Sequence, residues 1–474
     1  GDTERQVVVR WVRTMLAIFL LLGLTFGSWL SRLPAVRDKL GASTLEMSVY
    51  GLCLAAGSVV GLVISGQVVQ RLGPKRTMLV SGLAQVIALP AAVSIILAGA
   101  LVPGLTVLFV FGFFFATADV AMNVSGANAE RAFGRARLPL MHAGYSTGTV
   151  AAMGLGALAE ALGIGPQAHF TGIAVIIGLA LILLLRHVPS DEQGLRARAE
   201  RSAADTGSRR TPAAEPSRGT DSDAFAPETS AFETTGTVPI VASAAGKQPA
   251  FAATTGAIPI VTASIPVQAA PASTDGAAGA AAKYSPWRDT RILLIGLIAL
   301  ATGIVEGTAA DWLPLALVDG RSISNELGAV MLGVFFASIM LVRIAGSALL
   351  TRFGRVNILY ASALLSTAGI VTVLVVPGTA GLVIGTIAWG MGGGLGWPIA
   401  ISAAADRPET AVRDVAAVSA LGYGSMLLGP MAFGLLGEAI GLLTAFWGLL
   451  LFTIITALVA RVAREGGSTP ARNG

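Results

Sequence analysis

The residues of this chain best placed to do chemistry are a few polar side chains set inside long apolar stretches. Asp119 and Asn123 stand four apart, on one face of the segment if it is helical. Glu306 and Asp311 share a second apolar stretch, and Arg343 sits within the next one. A carboxyl in such surroundings can carry a proton or stand in a structural bond. For Asp119 the structural partner is Asn123 or a neighbouring segment; for Glu306 it is Arg343. His142 can relay protons, bind a hydroxylated molecule, or make a structural hydrogen bond. Tyr145 combines ring packing with a hydroxyl contact, while Trp389 and Trp397 offer rings that can stack on a cyclic solute. No spacing of Cys, His, Asp or Glu matches a metal site, and no nucleophile triad is present. Gly390-Met-Gly-Gly-Gly-Leu-Gly396 is not followed by a phosphate-loop lysine and hydroxyl, so its glycines read as points of close helix contact. Neither a cofactor, a metal nor an enzymatic reaction is expected.

The elements that hold these residues follow from composition. Of 474 residues 54% are hydrophobic and only 12% charged, about half the charge of an ordinary soluble domain. A lone cysteine, Cys53, excludes an internal disulfide framework. Apolar runs of about 20 residues match a hydrocarbon core about 30 Å thick. Twelve such spans are expected, at 14–33, 45–70, 77–98, 104–129, 138–162 and 168–187, then 291–317, 327–350, 356–376, 380–404, 412–437 and 441–461. The fold class is therefore all-α integral membrane, with the lipid bilayer as its surroundings. Asp119 falls near the middle of span four.

The basic residues sort by end. Sixteen lysines and arginines fall in the termini and alternate loops, against four (Arg32, Arg37, Lys39 and Arg321) in the opposite loops. That bias places both termini in the cytoplasm. It also accounts for the basic balance without nucleic acid. Residues 188–289 break the apolar pattern with nine basic and eleven acidic residues among Ala, Thr, Ser, Pro and Gly. They read as a disordered cytoplasmic linker. Two similar stretches within it, 231–241 and 250–261, read as low-complexity drift or as a docking motif for a cytoplasmic partner. The expected organisation is a six-helix unit at 1–187, the linker at 188–289, a second six-helix unit at 290–462 and a tail at 463–474.

The two units repeat each other. A shift of 278 positions lays Gly144-Tyr145, Met153, Gly156 and Glu160 on Gly422-Tyr423, Met431, Gly434 and Glu438. A shift of 280 lays Gly23, Gly27 and Leu33-Pro34 on Gly303, Gly307 and Leu313-Pro314. Matched spans run in the same direction, which makes this a parallel repeat about an axis along the membrane normal. The shift of 280 also places Asp311 opposite Ser31, beside Arg32. An Arg32–Asp311 pair is expected to latch the outer ends of spans one and seven; otherwise Arg32 snorkels or pairs with Asp38.

Gly66-Gln-Val-Val-Gln-Arg71-Leu-Gly73-Pro-Lys-Arg76, with its weaker copy Ser347-Ala-Leu-Leu-Thr-Arg352-Phe-Gly354-Arg355, resembles the signature loop of the major facilitator superfamily. The usual aspartate before the first arginine is replaced by Gln70 and Thr351. Phe26-Gly-Ser-Trp-Leu-Ser-Arg-Leu-Pro34, Asp119-Val-Ala-Met-Asn123, His142-Ala-Gly-Tyr-Ser-Thr-Gly148 and Asp311-Trp312 resemble the branch that includes rhizopine-associated membrane proteins and fucose permeases. The resemblance implies that spans one, four, seven and ten line a central path. It implies a monomer in the cell membrane that moves a small polar, sugar-like solute by alternating access, coupled to protons through Asp119 or Glu306. Asn123, His142, Tyr145, Trp389 and Trp397 are then candidate solute contacts, and Arg71 and Arg352 candidate gating residues. Two other readings stand beside it: proton-coupled efflux of hydrophobic compounds, and a membrane sensor or scaffold acting through the linker. Span five lacks the Gly-Pro element typical of drug antiporters, having Ala151-Ala152 instead, while Gly429-Pro430 occurs in span eleven.

Overall fold

The structure, a computed structural model, describes residues 2–134, 137–192, 194, 284–407 and 410–464. Most of the expected linker, with both similar stretches, and the tail from 465 lie outside the described residues. The first half comprises α1 (Asp2–Ser31), α2 (Leu33–Leu40), α3 (Thr44–Leu72), α4 (Pro74–Leu97), α5 (Leu101–Phe133), α6 (Leu138–Ala161) and α7 (Pro166–Leu185). The second half comprises α8 (Thr290–Arg321), α9 (Asn325–Val375), α10 (Gly378–Gly393), α11 (Gly396–Ala404), α12 (Ala411–Ile440), α13 (Leu442–Ala445) and α14 (Leu449–Val459). Each of the twelve expected spans falls on helix. Among the described residues, ten helical stretches are long and apolar enough to cross a bilayer. Helix α6 is less apolar than these because His142, Ser146, Thr147, Thr149 and Glu160 interrupt it.

Spans eight and nine are the two helical arms of α9, as expected, and meet at a kink at Gly354, whose φ 75° and ψ 163° are not helical. Its counterpart Gly73, between α3 and α4, takes φ 79° and ψ 156°. Both signature loops thus turn on a glycine at positive φ, a backbone state that side chains resist. Span ten is broken in two, with Gly394 and Leu395 between α10 and α11.

The same helix pairs pack in each half, α1 with α6 and α8 with α12, α3 with α5 and α9 with α10. In the first half these contacts run backbone to backbone. A Cβ on Gly23 would lie 2.1 Å from the Tyr145 carbonyl, and one on Gly57 2.0 Å from that of Phe109. Without a hydrophobic drive between helices in lipid, such close approach is what holds them. The halves then meet along two repeat-related seams. Helix α3 faces α12, where Gly434 abuts Ser48, and α6 faces α9, where Gly333 abuts Met153. Outside, Val63, Val102, Leu364 and Leu458 are exposed, as a lipid-facing surface requires.

At the arginine-rich end the second half is stapled by ion pairs. Arg355 grips Asp406 at 2.8 Å and Arg291 reaches the same carboxylate at 2.9 Å. Arg407 joins Asp289 at 2.6 Å and the buried Asp414 at 3.1 Å. Tyr284 donates to Asp414 at 2.7 Å; burial, then that carboxylate's hydrogen bond and charge, push its phenol up to about 12.

Substituting Gly57 by Ala is expected to cost about 1–3 kcal/mol by forcing α3 off α5. Gly66→Ala, at a helical site with open space around it, is expected to be neutral or stabilising by up to about 1 kcal/mol. Thermal unfolding of the detergent-purified variants checks the contrast.

Candidate functional site

The best-defined polar group inside the membrane portion is built on the break in span ten. A helix interrupted there leaves carbonyl groups that need donors. Arg343 of α9 supplies one: its Nε donates to the Gly394 carbonyl at 2.7 Å. Its Nη2 donates to both carboxylate oxygens of Glu306 on α8, at 3.1 and 3.0 Å. The expected Glu306–Arg343 pair is therefore formed, and it is buried. The glycines of Gly390–Gly396 are what admit it. A Cβ on Gly390 would lie 2.6 Å from the Phe335 carbonyl, and one on Gly396 2.3 Å from the Thr302 methyl. Close helix contact, the role expected of them, coincides with the break that gives Arg343 its carbonyl.

Across the interface, His142 on α6 stands edge-on to Phe19, with ring centroids 5.1 Å apart. Its Nε2 has no partner, and the charge of Arg343 reaches it from the other half. Asp119 and Asn123 lie buried on one face of α5, where Asn123 Nδ2 donates to the Asp119 carboxylate at 3.2 Å. Asn123 Oδ1 is left without a partner. Tyr145, one turn beyond His142, is buried against α1, with its carbonyl at the Gly23 contact. Trp397 opens α11, its ring 5.8 Å from that of Tyr423 and its Nε1 unpartnered. Unsatisfied buried polar atoms are uncommon in folded proteins. Among the described residues they occur in both halves, on Arg32, Gln85, His169, Trp312 and Thr386 among others, and also on Asn123, His142, Arg343 (Nη1) and Trp397.

Two expectations need correcting. Trp389 is fully buried, its Nε1 donates to the Val305 carbonyl at 3.2 Å, and its ring is packed edgewise between Phe335 and Phe446. With its N–H satisfied and its ring enclosed, it is a core residue and not a stacking surface. The Arg32–Asp311 latch is likewise not formed. Arg32 is held within its own half, by Glu160 at 3.1 Å and by the Ile164 carbonyl. Asp311 is half-buried on α8. Arg71 and Arg352 are both exposed at the arginine-rich end, with Arg352 over the Phe353 ring at 5.4 Å.

The structure adds residues that the sequence did not single out for the site. At the arginine-poor end, Arg37 pairs with Asp319 across the halves at 2.6 Å. Asn325 donates to Asp38 at 2.9 Å and to Glu160 at 3.3 Å. At the opposite end a cavity of about 1320 Å³ is lined by α3, α4, α5 and α7, with Tyr423 from the second half. Glu192, just past α7, is buried beside it, accepting from Ser125 at 2.8 Å and Asn128 at 3.0 Å. Burial pushes its carboxyl above the usual range, while Asn128, Ser125 and the charge of Lys75 pull it back. Of these, Glu160 and Tyr423 had a signal in the sequence, their repeat matches with Glu438 and Tyr145, and Asp38 was open as a partner of Arg32.

This architecture, two parallel-related helical bundles around a buried polar centre, defines an integral membrane transporter fold. Residues 89–426 match the Major Facilitator Superfamily, and the chain belongs to that superfamily. It is 27% identical to an uncharacterized transporter of Sinorhizobium fredii over 97% of this chain and 100% of that protein. Among solved structures, a mutant of the nucleoside transporter NupG superposes with TM-score 0.66 at 13% identity, over 96% of this chain and 99% of that one. A D-xylose-proton symporter gives TM-score 0.62 at 11% identity, over 96% and 97% of the two chains. The protein is a multi-pass membrane transporter and not an enzyme.

Removing one partner of the buried pair strands the other charge. Glu306→Ala is expected to destabilise the protein by about 3–5 kcal/mol, and Glu306→Ala/Arg343→Leu to recover most of that loss. Thermal unfolding of the purified variants reads both; a double variant as unstable as the single one would separate the two residues.

Proposed function

We propose that this transporter moves a small polar organic solute by alternating access, driven by a proton gradient, with the arginine-rich end and both termini in the cytoplasm. The observation that carries the solute class is the set of unpartnered buried atoms on Asn123, His142, Arg343 and Trp397. They offer both donors and an acceptor, as a neutral hydroxylated or carbonyl-bearing molecule requires. Trp397 is buried against Gly422 and Tyr423, so its contribution is the indole N–H and not a stacking face. Because Glu306 balances Arg343, the centre favours no strongly charged cargo. Solved relatives of this fold are named for nucleoside and D-xylose transport, which is consistent with that class.

Asp119 is the proton carrier in this reading. It is a buried carboxyl outside any arginine pair, bonded only to an amide that tolerates either protonation state. Glu306, bonded through both oxygens to Arg343, holds that arginine at the span-ten break. Tyr145 shapes the solute contact beside His142, and Arg71 and Arg352 act at the cytoplasmic gate.

Reconstitution into proteoliposomes with an imposed pH gradient tests the proposal. A panel of radiolabelled sugars, polyols and nucleosides is expected to give gradient-driven accumulation of at least one member. Asp119→Asn is expected to abolish accumulation while leaving solute exchange across the membrane within about threefold of the parent, since binding persists without proton movement. Loss of exchange together with accumulation would remove Asp119 from the carrier role. Proton-driven extrusion of hydrophobic dyes with no flux of the polar panel would replace the reading by efflux.

A further inference from the structure

The repeat places one carboxylate at the same position on each half, and each one crosses the interface. Glu160 ends α6 and Glu438 lies near the end of α12, related by the shift of 278. Glu160 Oε1 accepts from the Asn325 side chain at 3.3 Å. Glu438 Oε2 accepts from the Leu45 backbone N–H at 3.2 Å. Leu45 and Asn325 are themselves related by the shift of 280, and each lies in the first turn of its helix, α3 and α9. The N-terminus of a helix carries unsatisfied N–H groups and a partial positive charge, which favour a carboxylate. Both helix starts are also serine-capped, by Ser43 and Ser324, so the first turn that meets each carboxylate is held in place.

We propose that Glu160 and Glu438 are a repeat-related pair of clasps that set how much of the protein is closed at the arginine-poor end. Each clasp joins the last turn or so of one half to the first turn of the other, and neither can persist when those ends part. They differ in this from Arg37–Asp319, which also crosses the halves at that end but has no repeat counterpart: the same shift lays Arg37 on Leu317. Glu160 has a second task. Its Oε2 holds the buried Arg32 of its own half, so one carboxylate joins the packing of α1 to the state of the gate. Glu438 is exposed and acts at the gate alone. The proposal rests on alternating access, and the test separates the two.

Full-length protein carrying Cys53→Ser is spin-labelled at Ala98→Cys, just past α4, and Thr379→Cys, in the first turn of α10, both exposed at this end of the two halves. Inter-label distances are measured by pulsed electron spin resonance in lipid nanodiscs. Asn325→Ala removes one clasp without touching Arg32, and Glu438→Ala removes the other. Each is expected to raise the open-to-closed ratio about two- to fivefold, and the double variant by about the product. The thermal unfolding midpoint is expected to stay put, which a merely structural contact would not allow. A Leu45→Cys/Glu438→Cys cross-link is expected to collapse the distribution to the closed distance. An unchanged distribution in the double variant, with the parent populating both distances, overturns the clasps. A single fixed distance in the parent and in every clasp variant overturns alternating access itself.

Discussion

Inside hydrocarbon a carbonyl without a donor has no water to fall back on, and that constraint organises the centre of this protein. Span ten breaks at Gly394, and the arrangement around it follows from satisfying the freed backbone. Arg343 is drawn to the carbonyl, Glu306 is needed to neutralise Arg343, and small residues are needed for the helices to come close enough. The unpartnered nitrogen of Arg343 and the indole of Trp397 are then left beside the break, in the second half. Discontinuous helices in transporters commonly mark the solute site. Here the break also accounts for a buried charged pair, Glu306 with Arg343, as part of the packing.

Much of the fold was legible in the sequence. Apolar length located the spans, and the repeat predicted that α1–α6 would be matched by α8–α12. The break in span ten had a local signal in Pro398, whose missing N–H leaves the Gly394 carbonyl without its helical donor, but the glycine cluster beside it reads equally as close packing. The site was read in part. Asp119 with Asn123 and Glu306 with Arg343 came from helix periodicity and from the cost of intramembrane charge, and both contacts are formed. Trp389 was misplaced because a tryptophan at depth looks the same whether its ring lines a path or packs against Phe335 and Phe446. Arg32 was assigned to the wrong acid because the repeat shift brings helix ends level but says nothing of which neighbour within the half is nearer. Glu160, one helix away in its own half, was nearer.

The two halves share a packing plan but close their arginine-rich ends differently. In the second half Arg291, Arg355 and Arg407 converge on Asp289, Asp406 and Asp414. Both halves lack the signature aspartate, with Gln70 and Thr351 in its place, and in the first half a carboxylate comes from Glu192, beyond α7, set against Ser125 and Asn128 of α5. Ancestral duplication has thus kept the helix seams, where a displaced backbone admits few alternatives, and let the polar ends diverge, where several side chains can meet the same need.

Glu192 and Tyr284 fasten the two ends of the connecting segment, each to the half it belongs to. The order of synthesis gives this a consequence. Glu192 leaves the ribosome before any residue of α8, so the first bundle can close its own arginine-rich face while the second is still unmade. Chains emerge at about 5–20 residues per second, so the intervening stretch acts as a delay of seconds. Each repeat then has time to fold in the bilayer as an independent unit before the α3–α12 and α6–α9 seams join it to its twin.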